Sequence, residues 1–157
     1  MIAVTVEATL CAILRDGRIL LQRKAAGRFG EGKWNGAGGK LEPGEDPADG
    51  VIREVLEETG LRIREPRRHG VVNHFFGDRA TPAWSVHIFS ATDFEEEPVG
   101  SEEGELRWFP AEEIPYGEMW EDDLYWLPML LEGGEFNGAF YFNEDASRLL
   151  DFRLSAR

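Results

Sequence analysis

One cysteine, Cys11, stands in 157 residues, so no internal disulfide can brace the chain. That scarcity suits a reducing, cytoplasmic compartment. No apolar run approaches the ~20 residues needed to cross a bilayer, and no membrane partner is expected. Positive charge is short as well: 17 Lys and Arg stand against 30 Asp and Glu, leaving a net charge of −13. An acidic surface argues against a nucleic-acid polymer as partner, because phosphate backbones are gripped by basic surfaces. The sequence also lacks a Pro-, Gly- or Ser-rich linker, an internal repeat and any low-complexity tract. The length suits a single domain, residues 1–157, and leaves a monomer or a dimer open. The apolar start, Met1 to Leu14, carries Glu7 and no basic leader, so it reads as a strand rather than a signal peptide.

The charge that is present is unevenly spread. From Arg15 to Lys40 there are seven basic residues and two acidic ones, whereas Asp93 to Asp123 holds thirteen acidic residues and only Arg107. For most of these side chains a solvated surface is sufficient explanation. A small polyphosphate steered to the basic loop, with a metal offsetting carboxylates elsewhere, is the functional alternative. Val4 to Leu14 and Arg18 to Lys24 read as a hairpin turning at Asp16-Gly17, and Gly27 to Gly39 as a glycine-rich loop. Asp46 to Thr59 is the strongest helix: Asp46 can cap it, Pro47 suits its first turn and Gly60 its end. His69 to Phe76, Ala83 to Ala91, Glu105 to Phe109, Phe136 to Phe142 and Arg148 to Leu154 read as strands. Glu121 to Leu131 reads as a helix with Pro128 awkward inside it. Interleaved strands and helices predict an α/β sandwich.

On the helix, Glu54, Glu57 and Glu58 stand at i, i+3 and i+4 and share a face spanning roughly 100°. Ala48, Val51, Ile52, Val55 and Thr59 gather on another face, the one expected to be buried. Clustered carboxylates repel one another, by a few tenths of a kcal/mol per pair or about that order. They are useful where a hard cation such as Mg²⁺ must be held, since it takes oxygen ligands and bridges to phosphate. Spacing alone favours a solvated acidic helix face.

The full pattern is more specific. Gly39, five residues, Glu45, seven residues, Arg53-Glu54-Val55, one residue, Glu57-Glu58, one residue, Gly60-Leu61 resembles the complete Nudix box with no departure. The resemblance implies an α/β Nudix fold, a mixed sheet sandwiched between helices. It implies Mg²⁺, with Mn²⁺ able to replace it, on Glu54, Glu57 and Glu58, joined by the Gly39 carbonyl. Arg53 and Glu45 would support the loop–helix–loop geometry.

The flanks narrow the likeness. Lys33-Trp34-Asn35-Gly36-Ala37-Gly38-Gly39-Lys40 leads into the box, and Met119-Trp120-Glu121-Asp122-Asp123-Leu124-Tyr125-Trp126-Leu127-Pro128 lies downstream. With Phe136-Asn137-Gly138 and Leu150-Asp151-Phe152, these are similar to the animal-type oxidised purine nucleoside triphosphatases of the family. Gly27 is an extra residue against that pattern. The resemblance implies a base pocket of Asn35, Asp122, Asp123, Trp120 and Trp126, with Thr9, Lys24 and Phe29 as further members. Paired acids suit a purine edge if one keeps its proton: the carboxylate accepts and the carboxyl donates. A tryptophan can stack on the base. Without the likeness, the favoured reading puts Asp122 and Asp123 in a helix first turn, with Trp120 and Trp126 as core anchors.

The resemblance also assigns a metal-linked or water-activating carboxylate to Glu103, in an acidic loop where surface charge is the alternative. His69, His74 and His87, scattered on strands, read as structural. Lys24 or Lys40 can contact phosphate. The implied reaction is metal-assisted attack of water on the triphosphate of a small nucleotide such as 8-oxo-dGTP, giving the monophosphate and pyrophosphate and clearing damaged bases from the nucleotide pool. An ordinary NTP or a nucleotide sugar is the competing substrate. A binding module without turnover fits less well, because it needs no carboxylate cluster.

Overall fold

The computed structural model describes residues 4–102 and 104–157. Strand β1, Val6–Arg15, pairs antiparallel with β2, Arg18–Lys24, through Arg15 and Arg18. Asp16 and Gly17 between them carry φ of 52° and 74°, the left-handed pair that a two-residue type I′ turn requires. The glycine-rich stretch expected as loop contains two short strands, β3 (Trp34–Asn35) and β4 (Ala37–Lys40). Pairing to β2 and β1 supplies the ladder that their composition does not announce. Helix α1, Pro47–Thr59, begins as its sequence predicts, with the Asp46 carboxylate accepting from Ala48 N and Asp49 N. Strands β5 (Arg67–Phe76), β6 (Trp84–Ala91) and β7 (Gly104–Pro110) follow. After two short 3₁₀ turns come α2 (Asp123–Leu131), β8 (Phe136–Phe142) and β9 (Leu149–Ala156).

The strands form a mixed sheet in the order β3-β2-β1-β6-β5-β8-β9, with β4 added to β1 and β7 to β2. The β1–β6 and β5–β8 pairs are parallel. Alternation along β1 sorts its side chains between two cores. Cys11 and Ile13 pack with Val51 and Val55 of α1, whereas Ala8, Leu10 and Ala12 join the larger cluster with Trp126, Leu127 and Leu130 of α2. The helices therefore lie on opposite faces of the sheet, which is the α/β sandwich the sequence predicts. Pro128 does not break α2. Its ring deprives the Leu124 carbonyl of a partner, and Leu124 is exposed, so water can satisfy it. Among the described residues no helix is long and apolar enough to cross a membrane.

Candidate active site

A cavity of about 550 Å³ opens on the α2 side of the sheet and reaches round to α1. Its apolar floor includes Leu10 on β1 and Ile88 on β6. Of the residues singled out in the sequence, Thr9, Lys24, Phe29, Asn35, Gly39, Glu54, Glu58, Trp120, Asp122, Asp123 and Trp126 all line it. Glu57 does not, and Glu103 lies outside the described residues. The extra residue Gly27 is absorbed in a turn closed by Arg28 N to Ala25 O, so Lys24 and Phe29 on either side both reach the cavity.

The three helix carboxylates are not equivalent. Glu58 is only 6% exposed, whereas the Glu57 side chain is 57% exposed and Glu54 lies between. At 3.6 residues per turn Glu58 falls about 20° from buried Val51, Glu54 about 60° and Glu57 about 120°, which ranks their burial. The expectation of one carboxylate face separate from the packed one is thus corrected for Glu58. Its Oε2 instead accepts Gly38 N at 3.4 Å on β4. Arg53 holds the box together. Its Nε and Nη2 grip the two oxygens of Glu45 at 2.8 Å each, and Nη1 reaches Glu54 at 2.9 Å and Glu57 at 3.3 Å. The expected supporting role of Arg53 and Glu45 is visible in that geometry.

Hard oxygen donors on Glu54, Glu57, Glu58 and the Gly39 carbonyl fit a divalent cation in kind. Among the described residues, however, no three acidic, His or Cys side chains converge as a ready cluster. Two observations favour the fit. A methyl group on Gly39 would press on the Glu54 carboxylate, so the Gly39 backbone and that carboxylate stand close together, as shared ligands of one cation would. Burial also pushes the Glu54 carboxyl up, with Arg53 only partly opposing, so this carboxylate is short of compensating charge.

At the other end, Asp122 and Asp123 are 1% and 3% exposed. Asp122 occupies the cap position of α2 yet makes no capping bond, so helix capping does not account for its side chain. Its Oδ2 accepts from Trp126 Nε1 at 2.8 Å and from His74 Nε2 at 2.9 Å. Its Oδ1, like Asp123 Oδ2, is buried without a partner. Burial works to raise Asp122, but His74 and Trp126 outweigh it and hold the carboxyl below its ordinary range. Burial and then the Asp122 charge push Asp123 far above the carboxylate range, so it carries the pair's proton.

The aromatic groups divide the labour. Trp126 lines the cavity, but its ring packs on Phe136 at 5.8 Å in the core. Trp120 and the 61%-exposed Phe29 form an open rim 5.4 Å apart, and Phe29 stacks on Trp84 at 6.0 Å. Asn35 turns its Oδ1 to Gly36 N at 3.0 Å, and Thr9 Oγ1 lies 3.4 Å from the Gly39 carbonyl. The sequence reading missed Phe76, Trp84 and His74, which come from β5 and β6. Their alternation on strands was legible, but which face met the cavity depends on non-local pairing. Among the other histidines, His69 is a buried tie, bonded to Gly134 O at 2.6 Å and Ser90 Oγ at 2.7 Å.

A carboxylate-bearing helix packed behind a glycine-rich strand, beside an aromatic cavity with a buried acid pair, suits the hydrolysis of a phosphate anhydride. Comparison with known proteins agrees: the NUDIX domain matches residues 5–130. The chain belongs to the Nudix family, whose hydrolases generally use a divalent metal. It is 40% identical over 146 residues to the mouse oxidized purine nucleoside triphosphate hydrolase, covering 93% of this chain and 92% of that protein. The zebrafish protein of the same name is 42% identical over 135 residues, 85% of each chain. Among solved structures, a mutator MutT protein from Bacillus halodurans superposes with a TM-score of 0.85 at 29% identity, covering 96% of this chain and 97% of that one.

Proposed function

We propose that the chain hydrolyses oxidised purine nucleoside triphosphates such as 8-oxo-dGTP to the monophosphate and pyrophosphate, and so clears the nucleotide pool. The observation that carries this is the buried pair Asp122 and Asp123, each keeping one unpartnered oxygen at the wall of an aromatic cavity. A purine edge offers adjacent donors and acceptors, and an ionised carboxylate beside a protonated carboxyl matches both. Leaving those oxygens unpaired costs roughly 1–3 kcal/mol each, which a bound base would recover. The names of the mouse and zebrafish relatives support the same substrate.

In this reading Trp120 or Phe29 offers a ring face to the base, Asn35 orients the base, and Lys24 or Lys40 meets the phosphates. Glu54, Glu57, Glu58 and the Gly39 carbonyl would hold Mg²⁺, or Mn²⁺ in its place, with Glu103 as a further carboxylate. The bound cation lowers the pKa of the attacking water and neutralises the phosphoryl oxygens. A water oxygen bonds to phosphorus, the α–β bridge breaks, and one proton is released as pyrophosphate departs. Thr9 steadies the Gly39 carbonyl from β1. The whole chain acts as one Nudix domain: β8 and β9 extend beyond the matched residues, and β8 is paired to β5.

Turnover across a panel of normal and oxidised dNTPs and nucleotide sugars, with Mg²⁺, tests the proposal. An oxidised purine should give the highest kcat/KM. Preference for an ordinary NTP or a nucleotide sugar would leave Nudix chemistry standing and overturn the substrate.

A further inference from the structure

Hydrolysis needs a base pocket, but it does not need a histidine in its wall. His74 comes from β5, another element of the cavity wall, and places Nε2 2.9 Å from Asp122 Oδ2 at the start of α2. The same oxygen accepts the Trp126 indole N–H at 2.8 Å. Trp126 can only donate, and with the His74 hydrogen on Nε2 both lone pairs of Oδ2 accept, an arrangement that favours the carboxylate form of Asp122. The imidazole is held against Phe142 at 5.8 Å and Phe140 at 6.4 Å between ring centroids, which fixes its direction. Among the described residues Asp123 Oδ2 is buried without a partner, and Lys33 and Tyr116 are the other charged or titratable groups whose fields couple to Asp123.

We propose that His74 is a specificity-determining positioning residue, whose N–H locks Asp122 as the ionised member of the pair and thereby commits the pair's proton to Asp123. The proposal rests on the purine reading of the cavity and deepens it. Two adjacent buried acids of equal environment could exchange their proton and so read purine edges of either polarity. A 6-oxo-2-amino edge runs acceptor, donor, donor, and a 6-amino-2-oxo edge runs donor, donor, acceptor. With the proton confined to one carboxyl the pocket presents a single order, and one class of edge must leave buried groups unpaired. Such a mismatch is what gives hydrogen-bonding sites their discrimination.

Two readouts test this. In ligand-free protein at pH 7, carbon-13 NMR of the Asp carboxyl groups should show Asp122 ionised and Asp123 protonated. His74→Phe keeps a ring and removes the donor, and should redistribute the proton so that the two signals converge. His74→Gln restores an N–H near the same place and should recover the wild-type pattern. Asp122 protonated in the wild type, or an unchanged pattern in folded His74→Phe, overturns the proposal; the wild-type measurement decides even if His74→Phe does not fold. In parallel, the ratio of kcat/KM for 8-oxo-dGTP and 2-hydroxy-dATP should move toward one by roughly tenfold or more in His74→Phe and stay near wild type in His74→Gln. Equal losses on both substrates would mean a merely structural histidine. If the wild type hydrolyses neither nucleotide, the substrate reading fails, and the carboxyl signals alone decide the role of His74.

Discussion

Arg53 grips Glu45 across eight residues with two parallel bonds of 2.8 Å, tying the loop before α1 to the middle of the helix. The bidentate contact, with the Glu42 backbone adding to it, holds the Glu45 carboxyl down at about 2. A depressed carboxyl stabilises the folded chain above its ordinary value of 4.5, and that stability is lost as pH falls through about 2. Thermal melts should therefore show Glu45→Gln well below wild type at pH 7, with the gap shrinking between about pH 4.5 and 2. A gap that does not change with pH would deny the pair its role.

The exposed position of Glu57 separates chemistry from stability. Glu57→Gln should melt within about 0.5 kcal/mol of wild type, as surface changes do. Its turnover should fall by orders of magnitude, because a neutral amide is a poor Mg²⁺ ligand. A folded Glu57→Gln enzyme with near-wild-type kcat would remove the carboxylate from the metal site.

For Asp123 the sign of the pH effect is opposite to that of Glu45. Its carboxyl is raised far above its ordinary 3.8, so its stabilising contribution is complete below that value and is lost as pH rises. Asp123→Asn, which mimics the protonated acid, should gain in melting temperature over wild type as pH increases from 4 to 8. A constant difference would mean that Asp123 is ionised in the fold.

Asp122→Asn and Asp123→Asn should also cost activity selectively. A lost hydrogen bond that strands a buried partner costs roughly 1–3 kcal/mol, or about ten- to hundredfold. Comparing kcat/KM for 8-oxo-dGTP, a hydroxylated dATP and dGTP should show losses that depend on the base. Equal losses on all three would detach the pair from base recognition.

How far the sequence could be read depended on the range of the interactions. Helix α1 was legible because its signals are local: Asp46, Pro47 and Gly60 mark its ends, and Val51 and Val55 mark its buried side. The β1–β2 hairpin was legible for the same reason. Strands β3 and β4 were not, since Trp34-Asn35 and Ala37–Lys40 become strands only by pairing with β2 and β1. The carboxylate positions were legible, but the burial of Glu58 required the 20° that separates it from Val51 to be weighed against its charge. His74 was read as structural because nothing in its strand points to Asp122, 48 residues away. Only the fold brings His74 of β5 to Asp122 at the start of α2, beside Trp126 and Asp123.

Product identity on an oxidised purine tests the central claim most directly. A digest of 8-oxo-dGTP in Mg²⁺, separated by chromatography, should give 8-oxo-dGMP and pyrophosphate in equal amounts, and chelation of the metal should stop it. The diphosphate with orthophosphate as first products, or undiminished turnover after chelation, would contradict the account.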